Sequence, residues 1–228
     1  IIDSSPSDSY TLNFTSSNLL NALIKWGDGT QEYVSPSQSS PIIHQYLTSG
    51  VYDISISGIL AFKPTSDRLK LTKVKQWGKL SFNSLNNCFS NCFNLTSVPQ
   101  NETLVLPIDC RVMFGNTSIS NFGKFQSDSA FSLSGSFSGT NFDYNIGDWN
   151  VAAANSMVNM FFGTSMSQAN CDAIFTGWTR WNSTTGTAGI TLKSNVSLHM
   201  GATDYTRGGD AEDAFNYLVN TLNWTITF

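Results

Sequence analysis

Charge is scarce in this chain. Lys, Arg, Asp and Glu make up 12% of its 228 residues, roughly half the usual share of about 25%. The balance that remains is slightly acidic, a formal net charge of −4. No basic stripe exists to displace counterions from phosphates, which excludes nucleic acid as a partner. The densest basic stretch, Arg68, Lys70, Lys73 and Lys75, alternates as residues on the wet face of a strand do. Histidine is nearly absent (His44 and His199), and the four cysteines are Cys88, Cys92, Cys110 and Cys171. Cys88 and Cys92 stand four apart with neither histidine nearby, so there is no metal-ligand pattern. Buried free thiols packing as small apolar groups are the first reading of the cysteines. A Cys92–Cys110 or Cys88–Cys110 disulfide in an oxidising compartment is the alternative. No apolar run approaches the roughly 20 residues of a membrane-spanning helix, so no direct membrane insertion is expected. The chain opens at Ile1 with neither methionine nor a signal segment, and a processed or incomplete start is expected.

In place of charge the chain carries hydroxyls and amides. Its hydrophobic share, 40%, is ordinary, and the length allows one or two domains with a sizeable core. Polar surfaces built from Ser, Thr and Asn are typical of secreted β-rich proteins and of capsid or fibre proteins. Sequons occur at Asn13, Asn94, Asn101, Asn116, Asn182, Asn195 and Asn223. This is close to what chance gives in a chain so rich in these residues, so they carry little weight.

Residues 10 to 62 follow the two-residue period of strands. Tyr10, Leu12 and Phe14 mark one strand, and Leu23 to Trp26 leads into Asp28-Gly29, a two-residue hairpin signal. From Val51 to Gly58, Tyr52, Ile54 and Ile56 fall on one face and Val51, Asp53, Ser55 and Ser57 on the other, a half-buried strand. Asp28 reads as a turn residue bonding its own backbone rather than a calcium ligand or catalytic acid. His44 reads as a strand anchor near Tyr46 rather than a general base. The set Trp26-Gly27-Asp28-Gly29-Thr30, His44-x-Tyr46 and Gly50-Val51-Tyr52-Asp53-Ile54-Ser55-Ile56 resembles the polycystic-kidney-disease (PKD) type of immunoglobulin-like domain. The resemblance implies a PKD/Ig-like β-sandwich over residues 1–66, shorter than a usual member.

Between residues 70 and 167 the chain repeats itself. Phe89, Phe114, Phe137 and Phe161 recur at spacings of 25, 23 and 24. Four positions before them stand Leu85, Cys110, Leu133 and Met157, and one before stand Cys88, Met113, Ser136 and Met160. Apolar residues at i, i+3 and i+4 read as one buried turn of helix. Two positions after each phenylalanine come Asn91, Asn116, Gly139 and Gly163, residue types that accept the left-handed conformation ending a helix. Small residues follow (Cys92, Thr117, Thr140, Thr164), then a hydrophobic one (Leu95, Ile119, Phe142, Met166). Twelve before the anchors sit Trp77, Phe125 and Trp149. The second unit departs here, offering Glu102 and then Leu104-Val105-Leu106, which predicts a shifted strand. A strand, a turn, a helical turn and a cap cannot bury an apolar side alone, whereas stacking four such units makes a continuous core.

Ile146-Gly147-Asp148-Trp149-Asn150-Val151 followed by Asn155-Ser156-Met157-Val158-Asn159-Met160-Phe161-Phe162-Gly163-Thr164 resembles the BspA-type leucine-rich repeat of bacterial surface lipoproteins. Cys88-Phe89-Ser90-Asn91-Cys92-Phe93-Asn94-Leu95 is similar to a variant of the same repeat, while the second and third units match loosely. The resemblance implies a leucine-rich-type solenoid of about four units over residues 67–166.

Residues 167–228 read as an α/β C-terminal cap covering the last open core. Ser167 starts a helix with Cys171, Ile174, Phe175 and Trp178 on one face, and Gly189-Ile190-Thr191-Leu192 is a short strand. Asp210 is an N-cap candidate. Ala211, Ala214, Phe215, Leu218 and Leu222 form a helical stripe, and Trp224, Ile226 and Phe228 alternate as a closing strand. The acidic cluster Asp210, Glu212 and Asp213 complements a helix N-terminus. This ending resembles those that follow such repeats in surface proteins, phage-encoded ones included.

The fold class expected is therefore mainly β with short helices. No nucleophile with a base, carboxylate pair or metal set stands out, so no catalytic, cofactor-binding or metal residue is assigned and no enzyme is expected. A non-enzymatic extracellular protein follows, an adhesion or recognition scaffold at a cell surface for other surface proteins or glycans. A structural component of a bacteriophage virion, surrounded by other virion proteins, is the alternative.

Overall fold

The computed structural model describes residues 2–4, 9–12, 21–35, 38, 41–59, 67–78 and 84–228. Ile1, the sequon at Asn13, Phe14 of the first expected strand and the boundary between 60 and 66 lie outside them. Sheet dominates the described residues, accompanied by two short α-helices and by isolated helical turns.

The N-terminal strands are antiparallel throughout. β1 (Ile2–Ser4) pairs with β6 (Gly50–Tyr52), and β2 (Ser9–Leu12) with β5 (Ile42–Gln45). β3 (Asn21–Lys25) lies between β4 (Gln31–Val34) and β7 (Ser55–Ile59). Alternation along β3 turns Ala22 and Ile24 inward, and Trp26 follows them. With Tyr10, Val34, Ile42 and Tyr46 they bury one apolar cluster, against which Tyr52, Ile54 and Ile56 pack. Two expectations need correction. Trp26 N–H donates to the Thr30 carbonyl at 3.1 Å, so the hairpin loop is Gly27-Asp28-Gly29, three residues rather than two. Gly27 holds φ +86°, and a Cβ there would lie 2.8 Å from the Asp53 carbonyl oxygen. The expected Val51–Gly58 strand is broken into β6 and β7 at Asp53-Ile54, beside this close approach.

The second apolar cluster runs from Leu71 to Trp224. At its centre four segments, 85–92, 110–117, 133–140 and 157–164, lie one on the next. In the first, Leu85, Asn87, Phe89 and Asn91 donate their amides to the carbonyls of Asp109, Arg111, Met113 and Gly115 at 2.8–2.9 Å. Cys110, Val112, Phe114 and Asn116 repeat the pattern onto Ser132, Ser134, Ser136 and Ser138. Leu133, Gly135, Phe137 and Gly139 repeat it onto Ser156, Val158, Met160 and Phe162, and Met157 and Phe161 onto Ser197 and His199. Every second amide thus points along the stack, as in a parallel ladder.

The i, i+3, i+4 pattern in these segments is not helix. Each segment is a pair of successive four-residue turns: Cys88 N–H returns to Leu85 and Cys92 N–H to Phe89, and likewise Ser136 to Leu133 and Thr140 to Phe137. The third residue of each turn has positive φ, as in a type II turn. These are Asn87 and Asn91, Val112 and Asn116, Gly135 and Gly139, and Asn159 and Gly163. Turn and helix both bring i and i+3 together, but only the turn needs a left-handed residue two positions before the phenylalanine.

β8 (Thr103–Val105) pairs in parallel with β9 (Lys124–Gln126), Leu104 opposite Phe125. This is the expected displacement, since Leu104 stands ten residues before its phenylalanine and Phe125 twelve. Glu102 then accepts the Trp77 and Gly78 amides at 2.7 and 3.2 Å. Arg68–Lys70 is a single 3-10 turn and not the wet face of a strand. Lys75 pairs with Asp53 at 2.6 Å and Lys70 donates to the Ser9 carbonyl at 2.6 Å, tying this region to the N-terminal strands.

α1 (Gln168–Thr179) buries Cys171, Ile174, Phe175 and Trp178 as its spacing requires. Gly177 lets the helix settle onto Gly147, where a Cβ would stand 2.4 Å from the carbonyl oxygen, and Trp178 Nε1 donates to the Ile146 carbonyl at 2.8 Å. The strand expected at Gly189–Leu192 is displaced to a hairpin of β10 (Trp181–Asn182) and β11 (Thr187–Ala188). β12 (Ser197–His199) pairs in parallel with β13 (Thr225–Thr227). α2 (Asp210–Asn216) takes Gly209 rather than Asp210 as its cap and continues into a wider turn over Tyr217–Thr221. No described helix is long and apolar enough to cross a membrane.

Candidate binding site

The hairpin loop of the N-terminal strands brings Asp28 and His44 together. Asp28 Oδ1 accepts the Thr30 amide at 2.9 Å and its hydroxyl at 2.6 Å, while Oδ2 faces His44 Nε2 at 2.8 Å. The imidazole stacks on Trp26 with centroids 4.5 Å apart, and Tyr46 O–H donates to the Trp26 carbonyl at 3.0 Å. Partial burial would raise the Asp28 pKa, but the bonds from Thr30 and His44 outweigh it and bring it to about 2. The carboxylate lies between hydroxyl and imidazole, so His44 does not reach Thr30 as a base. This is a pinned loop.

Asp204 and Glu212 in the C-terminal region are also engaged. Glu212 Oε2 accepts the Gly208 amide at 2.8 Å, and Arg207 pairs with Asp204 at 2.8 Å. Asp210, Glu212 and Asp213 occupy the first turn of α2, where the helix dipole favours them. All four cysteines are buried, and Cys92, Cys110 and Cys171 are free thiols. Burial pushes Cys92, Cys110 and Cys171 up to about 12, which keeps them protonated and unreactive.

A cleft of about 250 Å³ opens where the stack meets the end of α1. Phe125 and Trp149 hold the same place in successive repeats and meet edge to face, 5.6 Å between centroids. Their neighbours in sequence, Gln126 and Asn150, both reach Asp128, the second of them from the adjacent rung. Gln126 Nε2 donates to Asp128 Oδ2 at 2.8 Å and Asn150 Nδ2 to Asp128 Oδ1 at 2.9 Å. These bonds, with the nearby Arg180 charge, lower the Asp128 pKa. Asp148 and Arg180 complete the lining. Arg180 is held at φ +49° as the residue closing α1, its amide on Gly177 and its carbonyl receiving Gly189 N–H at 3.1 Å.

No family model, curated protein or solved structure matches the chain. Geometry alone therefore bears on function. None of Gln126, Asp128, Asp148, Asn150 and Arg180 stands out in the sequence as a site residue. The equivalence of Phe125 and Trp149 is a usable signal for Gln126 and Asn150. Nothing in the sequence brings Arg180 to them, because its approach depends on how α1 lies on the last rungs.

Proposed function

We propose that this chain is a non-enzymatic extracellular surface protein, an adhesion or recognition scaffold for protein or carbohydrate partners. In this reading residues 1–66 form a PKD/Ig-like β-sandwich, 67–166 a BspA-like leucine-rich solenoid of about four units, and 167–228 its cap. The observation that carries it is the succession of parallel phenylalanine rings. Phe89 and Phe114 stack at 5.4 Å, Phe114 and Phe137 at 6.2 Å, and Phe137 and Phe161 at 5.8 Å. Units that bury one continuous core between them hold their outer faces in fixed register, which suits presentation of a surface. The pinned Asp28–His44 pair and the inert thiols give no group poised for bond-making.

A bacteriophage virion component, such as a capsid decoration or fibre domain, is favoured by the scarcity of charge. Surfaces of hydroxyls and amides pack against neighbours without desolvating ions. Mass spectrometry of purified particles, membrane fractions and cytosol from producing cells separates the readings. Enrichment in membrane or exterior fractions supports the surface scaffold, and enrichment in particles supports the virion component. Confinement to the cytosol overturns both.

A further inference from the structure

We propose that the cleft bounded by Phe125, Gln126, Asp128, Asp148, Trp149 and Arg180 is a saccharide-binding site. This rests on the recognition reading above and names the class of ligand. The chemistry of the lining is mixed in a way that suits a polyol. Asp148 is an exposed acceptor-only carboxylate, and Arg180 an exposed donor-only guanidinium. Neither makes a side-chain hydrogen bond among the described residues, whereas Asp128 has both oxygens engaged by Gln126 and Asn150. A sugar hydroxyl donates and accepts at once, so a row of hydroxyls meets both kinds of group. An anion would face two carboxylates beside one guanidinium. A cation would face Arg180, with one carboxylate already saturated by amides.

One wall of the lining is also rigid. Asp128 and Asn150 are locked by their mutual bond and by Ser127 Oγ, which donates to the Asn150 carbonyl at 3.1 Å. Arg180 is fixed at its backbone on both sides, while the side chains of Asp148 and Arg180 remain free to order on the ligand. The volume lies below the roughly 300–1,000 Å³ of sites for drug-sized ligands, which points to one or two sugar rings. Phe125 is half-buried and Trp149 buried beneath the cleft, so the lining is mainly polar and recognition rests on hydroxyl contacts rather than on a stacking platform.

The test is an array of neutral and acidic mono- to tetrasaccharides probed with the intact chain, followed by calorimetric titration of the sugars retained. The same measurements are made on Asp148→Asn and Arg180→Gln, exposed substitutions whose unaltered melting is checked first. The expected result is retention of short saccharides by the wild-type chain and a loss of about tenfold or more in affinity in each variant. Saccharide binding unaltered in both variants overturns the cleft but leaves the recognition reading standing. No retained saccharide overturns the cleft as well, while the fractionation experiment judges the surface reading separately.

Discussion

Phe137 and Phe161 face each other across adjacent rungs, 5.8 Å between centroids and 10° from parallel. Phe137 also meets Phe114, Phe122, Phe142 and Trp149, and it is wholly buried. Like Phe114, it is enclosed by other rings on all sides, and its rung lies between two others.

Truncating it should therefore be costly. Phe137→Ala removes a ring that the surrounding rungs cannot collapse onto, at a cost of roughly 3–5 kcal/mol. Thermal denaturation followed by circular dichroism should show a melting temperature lower by several degrees. A shift within experimental noise would mean that Phe137 is not a core rung.

Val112 offers the opposite change. It is the one β-branched residue among the described left-handed positions, at φ +51°, where the equivalent residues are Asn87, Gly135 and Asn159. A β-branched side chain is strained there, and asparagine is tolerated. Val112→Asn should raise stability by about 1 kcal/mol in chemical denaturation. A clear loss would show that the contacts of its methyl groups over Gly115 and Gly135 outweigh the backbone strain.

The thiols should be silent in the native protein. Cys92, Cys110 and Cys171 are buried free thiols, so iodoacetamide at about pH 8 should label none of these three until denaturant is added. Rapid labelling of the folded chain, or a disulfide found by peptide mapping, would contradict the packing described.

Acid should loosen the N-terminal strands through Asp28. Its folded pKa, about 2, lies below the ordinary 3.8, so the carboxylate's contribution is complete above the ordinary value and is lost as pH falls towards 2. Between those limits the wild-type Trp26 indole signal in NMR should report weakening of the loop. In Asp28→Asn, which starts without the charged bonds, that acid dependence should be missing. Identical acid profiles would remove Asp28 from the account.

Inward-facing positions were legible in the sequence because burial follows periodicity. Leu85, Cys110, Leu133 and Met157 are all buried, as are Leu95, Ile119, Phe142 and Met166. The mainly β class with few short helices followed from the same alternations. Local conformation was less legible. The spacing that places Leu85, Cys88 and Phe89 on one side is shared by a helical turn and by two successive β-turns. The discriminating signal, Asn or Gly two residues before the phenylalanine, is broken by Val112. The strand expected at Gly189–Leu192 failed because a two-residue period over so few residues does not outweigh the hairpin formed just before it. The cleft was least legible, since it needs Arg180 brought beside Asp128 by the lie of a helix.

Amide hydrogen exchange resolved by residue tests the stacking of the rungs most directly. The amides of Phe89, Phe114, Phe137 and Phe161 each donate to the next segment of the stack at 2.9–3.1 Å. All four should exchange together in the slowest class, since opening any of them requires parting two rungs. Exchange of the Phe114 or Phe137 amide as fast as the exposed loop at Thr184–Thr185 would mean that the segments do not lie on one another.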